Sequence, residues 1–278
     1  LRSRATFLNY WSPSLSISRN FETYDDRLTR GGPLAKKPAE TSVSLWTTSD
    51  WSKPYSGFAS IRREWNEAGG SQTSVNARIT MKPSSTWELT VGPNLSFNNA
   101  FAQYVSSRED PLATETFGAR YIFGELEQTT LSMETRLNVT FTPNLTLELF
   151  AQPFIASGEY GQLRELKQAG TFDFIDYGID AGEISLDDDG NALIDPDGTG
   201  PAESFTVYNS DFNRVSLRGT GVIRWEWRPG STLFLVWQQS RSDRYGDGDF
   251  DFARDADAMF AARADNIFMV KATYWIGS

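Results

Sequence analysis

Residues 119–149 read ARYIFGELEQTTLSMETRLNVTFTPNLTLEL. From Leu131 the odd positions are Leu131, Met133, Thr135, Leu137, Val139 and Phe141, and the even ones are Ser132, Glu134, Arg136, Asn138 and Thr140. After Thr142-Pro143-Asn144 the alternation resumes, with Leu145, Leu147 and Leu149 against Thr146 and Glu148. Side chains two apart share one face of a strand. The stretch is therefore a hairpin with one apolar and one charged face. A sandwich turns such an apolar face inward, and a membrane barrel turns it outward to lipid.

The same period recurs on both sides. Leu89 and Val91 oppose Glu88 and Thr90, Leu217 and Ile223 oppose Arg218 and Arg224, Leu233, Leu235 and Trp237 share one face of a further strand, and Phe268 and Val270 oppose Lys271. Ten strands are expected over residues 13–275, with a partial eleventh over residues 1–9. The connections sort by length. Those at 9–12, 50–54, 82–86, 142–144 and 228–231 are short. Those at 25–38, 107–117, 158–211 and 243–265 are long and polar. The Gly69-Gly70 turn is a short exception on the long side. Short turns at one end and long loops at the other are the pattern of an outer-membrane barrel, and a sandwich has no reason to sort its loops so. Gln162 to Ala169 is a helical candidate within the 158–211 insertion. The acidic residues of 243–265 are expected to form a solvated loop.

Composition narrows the options. The chain has 278 residues, a formal net charge of −10, and no cysteine or histidine. Net acidity argues against a nucleic-acid partner, because phosphate contacts need a basic surface. Without Cys and His there are no disulfides, no thiol or histidine-based triads, and no ordinary zinc sites. Hydrophobic residues are 39 %, and no run is long enough for a membrane helix. A barrel tolerates that composition, because half of each strand faces a polar lumen.

The fold expectation is an all-β, up-and-down antiparallel transmembrane barrel occupying residues 1–278 as one domain. The residues expected to line its lumen are Glu88, Arg120, Glu134, Arg136, Glu148, Arg218, Arg224, Glu226 and Lys271. Burying nine such charges in a dry sandwich core is prohibitive unless each is paired. Leu89, Val91, Leu131, Met133, Leu137, Val139, Leu145, Leu147, Leu149, Leu233, Leu235, Phe268 and Val270 are expected to face lipid. Trp11, Trp51, Trp87, Phe141, Trp225 and Trp227 cluster near the short turns, as an interface girdle would.

Three candidate chemistries compete with plainer structural roles. Glu134 and Glu148 lie on neighbouring strands and could form a glycosidase-like carboxylate pair. A ladder of opposite charges with Arg136, Arg224 and Glu226 that stiffens the wall is the stronger expectation, so no catalytic residue is assigned. Asp187, Asp189, Asn191 and Asp195 offer oxygen ligands for calcium, but they lack the spacing of a twelve-residue calcium loop. The favoured alternative is a hairpin that pairs Ile184 and Leu186 with Leu193 and Ile194 across an Asp-Gly turn. Tyr160, Phe172, Phe174, Tyr177, Phe205 and Tyr208 suit sugar stacking, but are expected first to pack the insertion on itself or plug the pore.

Three segments carry a resemblance: Asp25 to Leu34 (DDRLTRGGPL), Phe141 to Leu145 continuing to Ala151-Gln152-Pro153-Phe154, and Ser216 to Gln239 with its Arg224-Trp225-Glu226-Trp227-Arg228-Pro229-Gly230-Ser231 core. They resemble the C-terminal region of a poorly characterised bacterial outer-membrane family. Its members carry an N-terminal carbohydrate-binding-like module ahead of a long β-barrel. The resemblance implies that this chain is roughly the last half of such a barrel, with its first strands supplied from before Leu1. The expected location is the outer membrane of a Gram-negative cell. The expected partners are lipid, lipopolysaccharide, the barrel-insertion machinery and a surface lipoprotein or other envelope subunit. The expected role is a pore or transporter for polar solutes such as oligosaccharides, or else an occluded barrel that anchors a surface module. No cofactor is expected beyond a weak calcium candidate in the loops.

Overall fold

The computed structural model describes residues 1–276. Its main element is one antiparallel meander. The strands are β1 (Arg2–Arg4), β2 (Ser12–Asn20), β3 (Thr23–Asp25), β4 (Ala35–Lys37), β5 (Glu40–Thr48), β6 (Tyr55–Asn66), β7 (Ser71–Ser84), β8 (Trp87–Glu109), β9 (Ala119–Thr142), β10 (Leu145–Leu166), β11 (Phe174–Asp176), β12 (Glu183–Leu186), β13 (Ala192–Asp195), β14 (Phe205–Val207), β15 (Phe212–Arg228), β16 (Ser231–Tyr245) and β17 (Ala264–Thr273). The sheet runs in the order β1-β2-β5-β6-β7-β8-β9-β10-β15-β16-β17, with β11 added to β10. The ten expected strands are β2, β5 to β10 and β15 to β17, and β1 is the partial eleventh. The chain is all-β with one large antiparallel sheet. That sheet is open, because β1 and β17 do not pair with each other.

Register carries the alternation across the whole sheet. One row runs Leu15, Leu45, Ile61, Val75, Leu95, Leu131, Ile155 and Val215 through directly opposed partners. A second runs Leu89, Leu137, Leu149, Gly221, Trp237 and Phe268. All thirteen residues of the expected apolar set fall on this one face. A one-residue slip anywhere would flip every later side chain. No slip interrupts the β10–β15 ladder from Leu145 to Gly158. The face is uncovered over most of its area: Leu45 is 50 % exposed, Ile79 52 % and Phe268 75 %.

The opposite face is lined with small polar groups that satisfy each other across strands. Ser18 bonds Ser42 at 2.7 Å, Thr80 bonds Thr90 at 3.2 Å, Ser74 bonds Ser96 at 3.3 Å, and Asn94 donates to Asn76. Each of these is a directly opposed pair, which is where cross-strand contacts are closest.

One end of the sheet has tight turns at 49–54, 85–86, 143–144 and 229–230, with Gly230 at φ 77° in the last. The other end carries everything else. There β8, β9 and β10 project as a long three-stranded extension, and the insertion after β10 builds the separate sheet β12-β13-β14.

Two expectations need correction here. Gln162–Leu166 is strand rather than helix, because Leu163, Arg164 and Glu165 pair with Gly124, Phe123 and Ile122, and Arg164 to Leu166 also pair with β11. The insertion therefore starts after Leu166, not at 158. The segment 243–265 is not an unstructured loop either. β16 runs on to Tyr245, and Phe252–Ala261 forms helix α1. Asp251 caps α1 by accepting the Arg254 N–H at 3.0 Å.

Helix α1 is held by one buried carboxylate. Asp255 accepts from Tyr245 Oη at 2.6 Å, Asn213 Nδ2 at 3.0 Å and Arg254 Nε at 3.0 Å. Burial opposes ionisation of Asp255, yet these three donors hold its pKa below the ordinary carboxylate value. A depressed folded pKa stabilises the fold above the unfolded value, and that stability is lost as pH falls through the folded value. Protease protection of 246–262 is thus expected to be full at pH 7 and to disappear only below about pH 4. Asp255→Ala should remove it at all pH values, at a cost of about 1–3 kcal/mol or more from the orphaned donors. Limited proteolysis across pH checks both.

Candidate functional site

Two groups of polar residues stand out. The first is the open polar wall. Eight of the nine expected lumen residues, Glu88, Glu134, Arg136, Glu148, Arg218, Arg224, Glu226 and Lys271, share the face of the Ser/Thr/Asn ladders by register. The wall's ion pairs are local. Arg136 Nε bonds Glu134 Oε1 at 2.7 Å, Arg224 bonds Glu226 at 3.1 Å, and Lys82 lies 3.1 Å from Glu88. The two Arg–Glu pairs join residues two apart on one strand. In place of the expected ladder among Glu134, Arg136, Glu148, Arg224 and Glu226 the two Arg–Glu pairs run within strands, and Lys82–Glu88 is the pair that crosses from β7 to β8. Arg136 and Lys271 also lie over aromatic rings, Phe150 at 5.0 Å and Phe234 at 6.0 Å.

A groove of about 810 Å³ crosses this wall, lined by Phe58, Ser60, Asn76, Arg78, Asn94, Glu134 and Gln152 among others. Trp51 also lines it, so this tryptophan turns toward the polar face and does not join the girdle row. The remaining expected girdle residues border the tight turns. Trp225 and Trp227 stack edge to face with centroids 6.4 Å apart.

The Glu134–Glu148 pair does not form a catalytic dyad. Glu148 opposes Asn138, so Glu134 lies four residues farther along β9, about 13 Å away at about 3.3 Å per residue. Glycosidase carboxylates sit roughly 5–9.5 Å apart.

The second group is a buried network in the strand extension. It contains Arg120, which is a correction to its place among the open-wall residues. Arg120 Nε donates to Asp110 Oδ2 at 2.6 Å, and its Nη1 donates to both oxygens of Glu165 at 2.7 and 2.8 Å. Tyr177 Oη donates to the same Glu165 at 2.7 Å. Burial first, and then the Glu165 carboxylate, push the Tyr177 phenol far above its ordinary pKa. Burial opposes ionisation of Asp110, but hydrogen bonds from Arg120 and the Leu112 N–H hold it charged.

Beside it, Arg164 is only 1 % exposed. It donates to Glu125 at 2.7 Å and to the Phe101 carbonyl at 2.8 Å, and its guanidinium lies 3.7 Å over the Phe101 ring. Its Nε approaches Asp176 at 2.8 Å as an ion pair, without hydrogen-bond alignment. Nothing in the local sequence around Glu125 and Arg164 advertised this pairing; it depends on the bulges between Tyr160 and Leu163 and between Ala100 and Gln103.

Two apolar clusters clamp this network. Ile122, Tyr177, Ile194, Phe205 and Val207 join the small sheet to the extension, and Phe123, Ala35 and Leu166 pack with Phe174 on the other side. Gly124 faces Tyr160, Leu163 and Val105, and Leu126 opposes Tyr160. The small sheet thus packs on the continuation of the polar face. Four of the insertion's aromatics pack on one another, Phe172 with Phe174 at 4.9 Å and Tyr177 with Phe205 at 6.3 Å, whereas Tyr208 stays exposed.

The calcium candidates are occupied by turn geometry. Asp187 accepts from the Asn191 N–H at 2.8 Å, Asn191 Nδ2 at 2.9 Å and the Asp189 N–H at 3.0 Å, and Asp195 accepts from the Gly198 N–H at 2.9 Å. The expected hairpin is present, with Ile184 opposite Ile194. Among the described residues no three acidic side chains gather in a metal-holding arrangement.

The two groups differ in what they contribute to stability. Arg120→Ala would strand two buried carboxylates, a loss of about 3–5 kcal/mol, read as a lower urea midpoint and faster proteolysis within 167–211. Arg136→Ala breaks an exposed pair and should cost under about 1 kcal/mol.

Comparison with known proteins gives one match. The family model described as "Domain of unknown function (DUF5916)" covers residues 2–277. No curated protein matches the chain. The match is to neither a described barrel nor a carbohydrate-binding module, and it spans nearly the whole meander as one unit. The chain belongs to the DUF5916 family.

Proposed function

We propose that this sheet is the wall of a transmembrane β-barrel in the outer membrane of a Gram-negative bacterium, and that it acts as a pore or transporter for polar solutes such as oligosaccharides. One observation carries the reading: an apolar face, continuous across the meander from β2 to β17, which among the described residues only helix α1 covers, at the Ile155–Val215 end, and which is otherwise exposed. Contiguous exposed apolar patches beyond a few hundred Å² are rare on soluble monomers.

The dimensions fit. From Leu145 beside the tight turn to Ile155 is about 33 Å of strand at about 3.3 Å per residue. Tilted by about 40°, as in outer-membrane barrels, this projects to about 25 Å, the height of their apolar band. An open sheet would be completed by further strands, which would come from the rest of a larger barrel. The mixed and locally paired charges of the polar wall suit neutral or zwitterionic solutes more than ions of one sign. No reaction is assigned to the wall, and lipid, lipopolysaccharide, the insertion machinery and an envelope subunit are the partners that go with the reading.

A second reading keeps the barrel but closes it. The β12-β13-β14 sheet packs on the continuation of the polar face and is locked there through Tyr177 and the Arg120–Glu165 network. This favours an occluded barrel that anchors a surface module or partner. Planar-bilayer conductance and liposome swelling with neutral sugars separate the two. Stepwise conductance and sugar-driven swelling are expected for the pore. Their absence from folded, inserted protein would leave the occluded barrel.

The wall itself is tested by a pair of substitutions. Leu149→Arg should cost about 2–4 kcal/mol of folding free energy in vesicles, the penalty for Arg on a lipid face near midplane, while Asn138→Arg on the polar face should be nearly neutral. Equal effects would argue that neither face meets lipid.

A further inference from the structure

Helix α1 packs on the same face as the apolar band. Met259 is 4 % exposed against Ile155 and Val215, and both of these continue the apolar row of Leu131 by register. Ile155 stands about 25 Å above the tight-turn girdle by the projection given above. The helix therefore sits where the apolar band ends.

Its own residues divide by period 3.6. Asp255 and Met259 face the sheet. Phe252, Ala256 and Phe260 fall on an adjacent flank of the helix, and both phenylalanines are 60 % exposed. A helix anchored this firmly by Asp255 does not need two exposed phenylalanines for its own packing. At the same end of the same face, Trp65 and Phe97 are also exposed; they oppose Ser71 and Thr73, four and two residues beyond the Val75 row toward the long-loop end.

We propose that α1 is an interfacial helix: its Phe252 and Phe260 enter the headgroup boundary of the outer leaflet and, with Trp65 and Phe97, form the second aromatic girdle. This rests on the barrel reading. The occupant is a lipid surface, because the flank is continuous with the apolar band and lies at its edge. Amphipathic helices bury such a flank about 5–10 Å into the headgroup region, and outer-membrane barrels carry aromatic rows at both interfaces. The tryptophan row at the tight turns supplies only one of them.

The chain has no cysteine, so single-cysteine spin labels report cleanly. Three variants suffice: Leu147→Cys in the apolar band, Phe260→Cys on α1, and Asp188→Cys in the exposed turn between β12 and β13. Each is labelled in the full chain, reconstituted in vesicles of phosphatidylcholine and phosphatidylglycerol, and its relative accessibility to oxygen and to a water-soluble nickel chelate is measured. Phe260 is exposed, so its substitution leaves the packing of α1 intact. The expected order is a high oxygen-to-nickel ratio at 147, an intermediate one at 260, and a low one at 188, with 260 several-fold above 188. A ratio at 260 equal to that at 188, with 147 still deep, overturns the interfacial helix and leaves the barrel standing. A label at 260 that is immobile and shielded from both relaxants also overturns it, since a protein partner then covers the flank. A low ratio at 147 removes the barrel reading and this inference together.

Discussion

A β-sheet cannot leave an apolar face in water across a whole meander of strands. Each Leu, Ile or Phe side chain kept from an apolar environment forfeits about 1.5–3 kcal/mol, a large share of any domain's net stability. Here, among the described residues, the face from Leu15 to Phe268 has no partner layer beyond the single helix α1 at one end. The other face has spent its side chains on serine, threonine and asparagine pairs that need water or one another. Whatever covers the apolar side must therefore be outside these residues, and it must be apolar over a height of about 25 Å. A lipid bilayer meets that condition, and the period-two register transmits it to every strand at once.

The end of the sheet that carries the long loops is built on a different principle. There the strands leave the band and become an ordinary packed domain with cores of its own. Arg120 and Arg164 are buried with enough carboxylates, carbonyls and aromatic surface to satisfy them, which is the condition for burying a charge at all. Arg120, through Glu165 and Tyr177, fixes the insertion's small sheet in one position on the polar side, and Arg164 holds β11 to the extension through Asp176. Removing the partners would cost more than the pairs contribute, so the network specifies geometry more than it adds stability. Helix α1 does the equivalent on the apolar side, with Asp255 as the single polar anchor and Met259 as the apolar one. The upper rim is thus held on both faces by polar clamps, and the band between the rim and the tight turns is left bare.

The strand order and faces were legible in the sequence because they depend on alternation alone. Leu131 to Leu149 already set which side each residue takes, and the register extends that assignment unchanged to Leu89, Ile223 and Val270. What was not legible depends on long-range pairing. Gln162 to Leu166 looks helical in isolation and becomes strand only because Ile122 to Gly124 and Phe174 to Asp176 flank it. Arg120 reads as one more charge on a wall, yet a bulged extension carries it into a buried cluster with Glu165 and Tyr177. Helix α1 did leave a signal: Asp251 as a cap, then Asp255, Met259 and Ala262 at helical spacing. The acidic residues around it masked that period. The open edges at β1 and β17 left no signal in the alternation, since edge pairing is not a matter of which face a side chain takes.

Quenching of the native tryptophans by phospholipids brominated at different acyl positions tests the lipid-facing band most directly. Trp87, Trp225 and Trp237 lie on the apolar face, while Trp46 and Trp51 belong to the polar side. With the protein folded in vesicles, strong, depth-dependent quenching of most of the emission is expected, strongest for bromines near the headgroups where Trp87 and Trp225 border the turns. Emission that is quenched by aqueous iodide and left untouched by every brominated lipid would contradict a membrane-facing sheet.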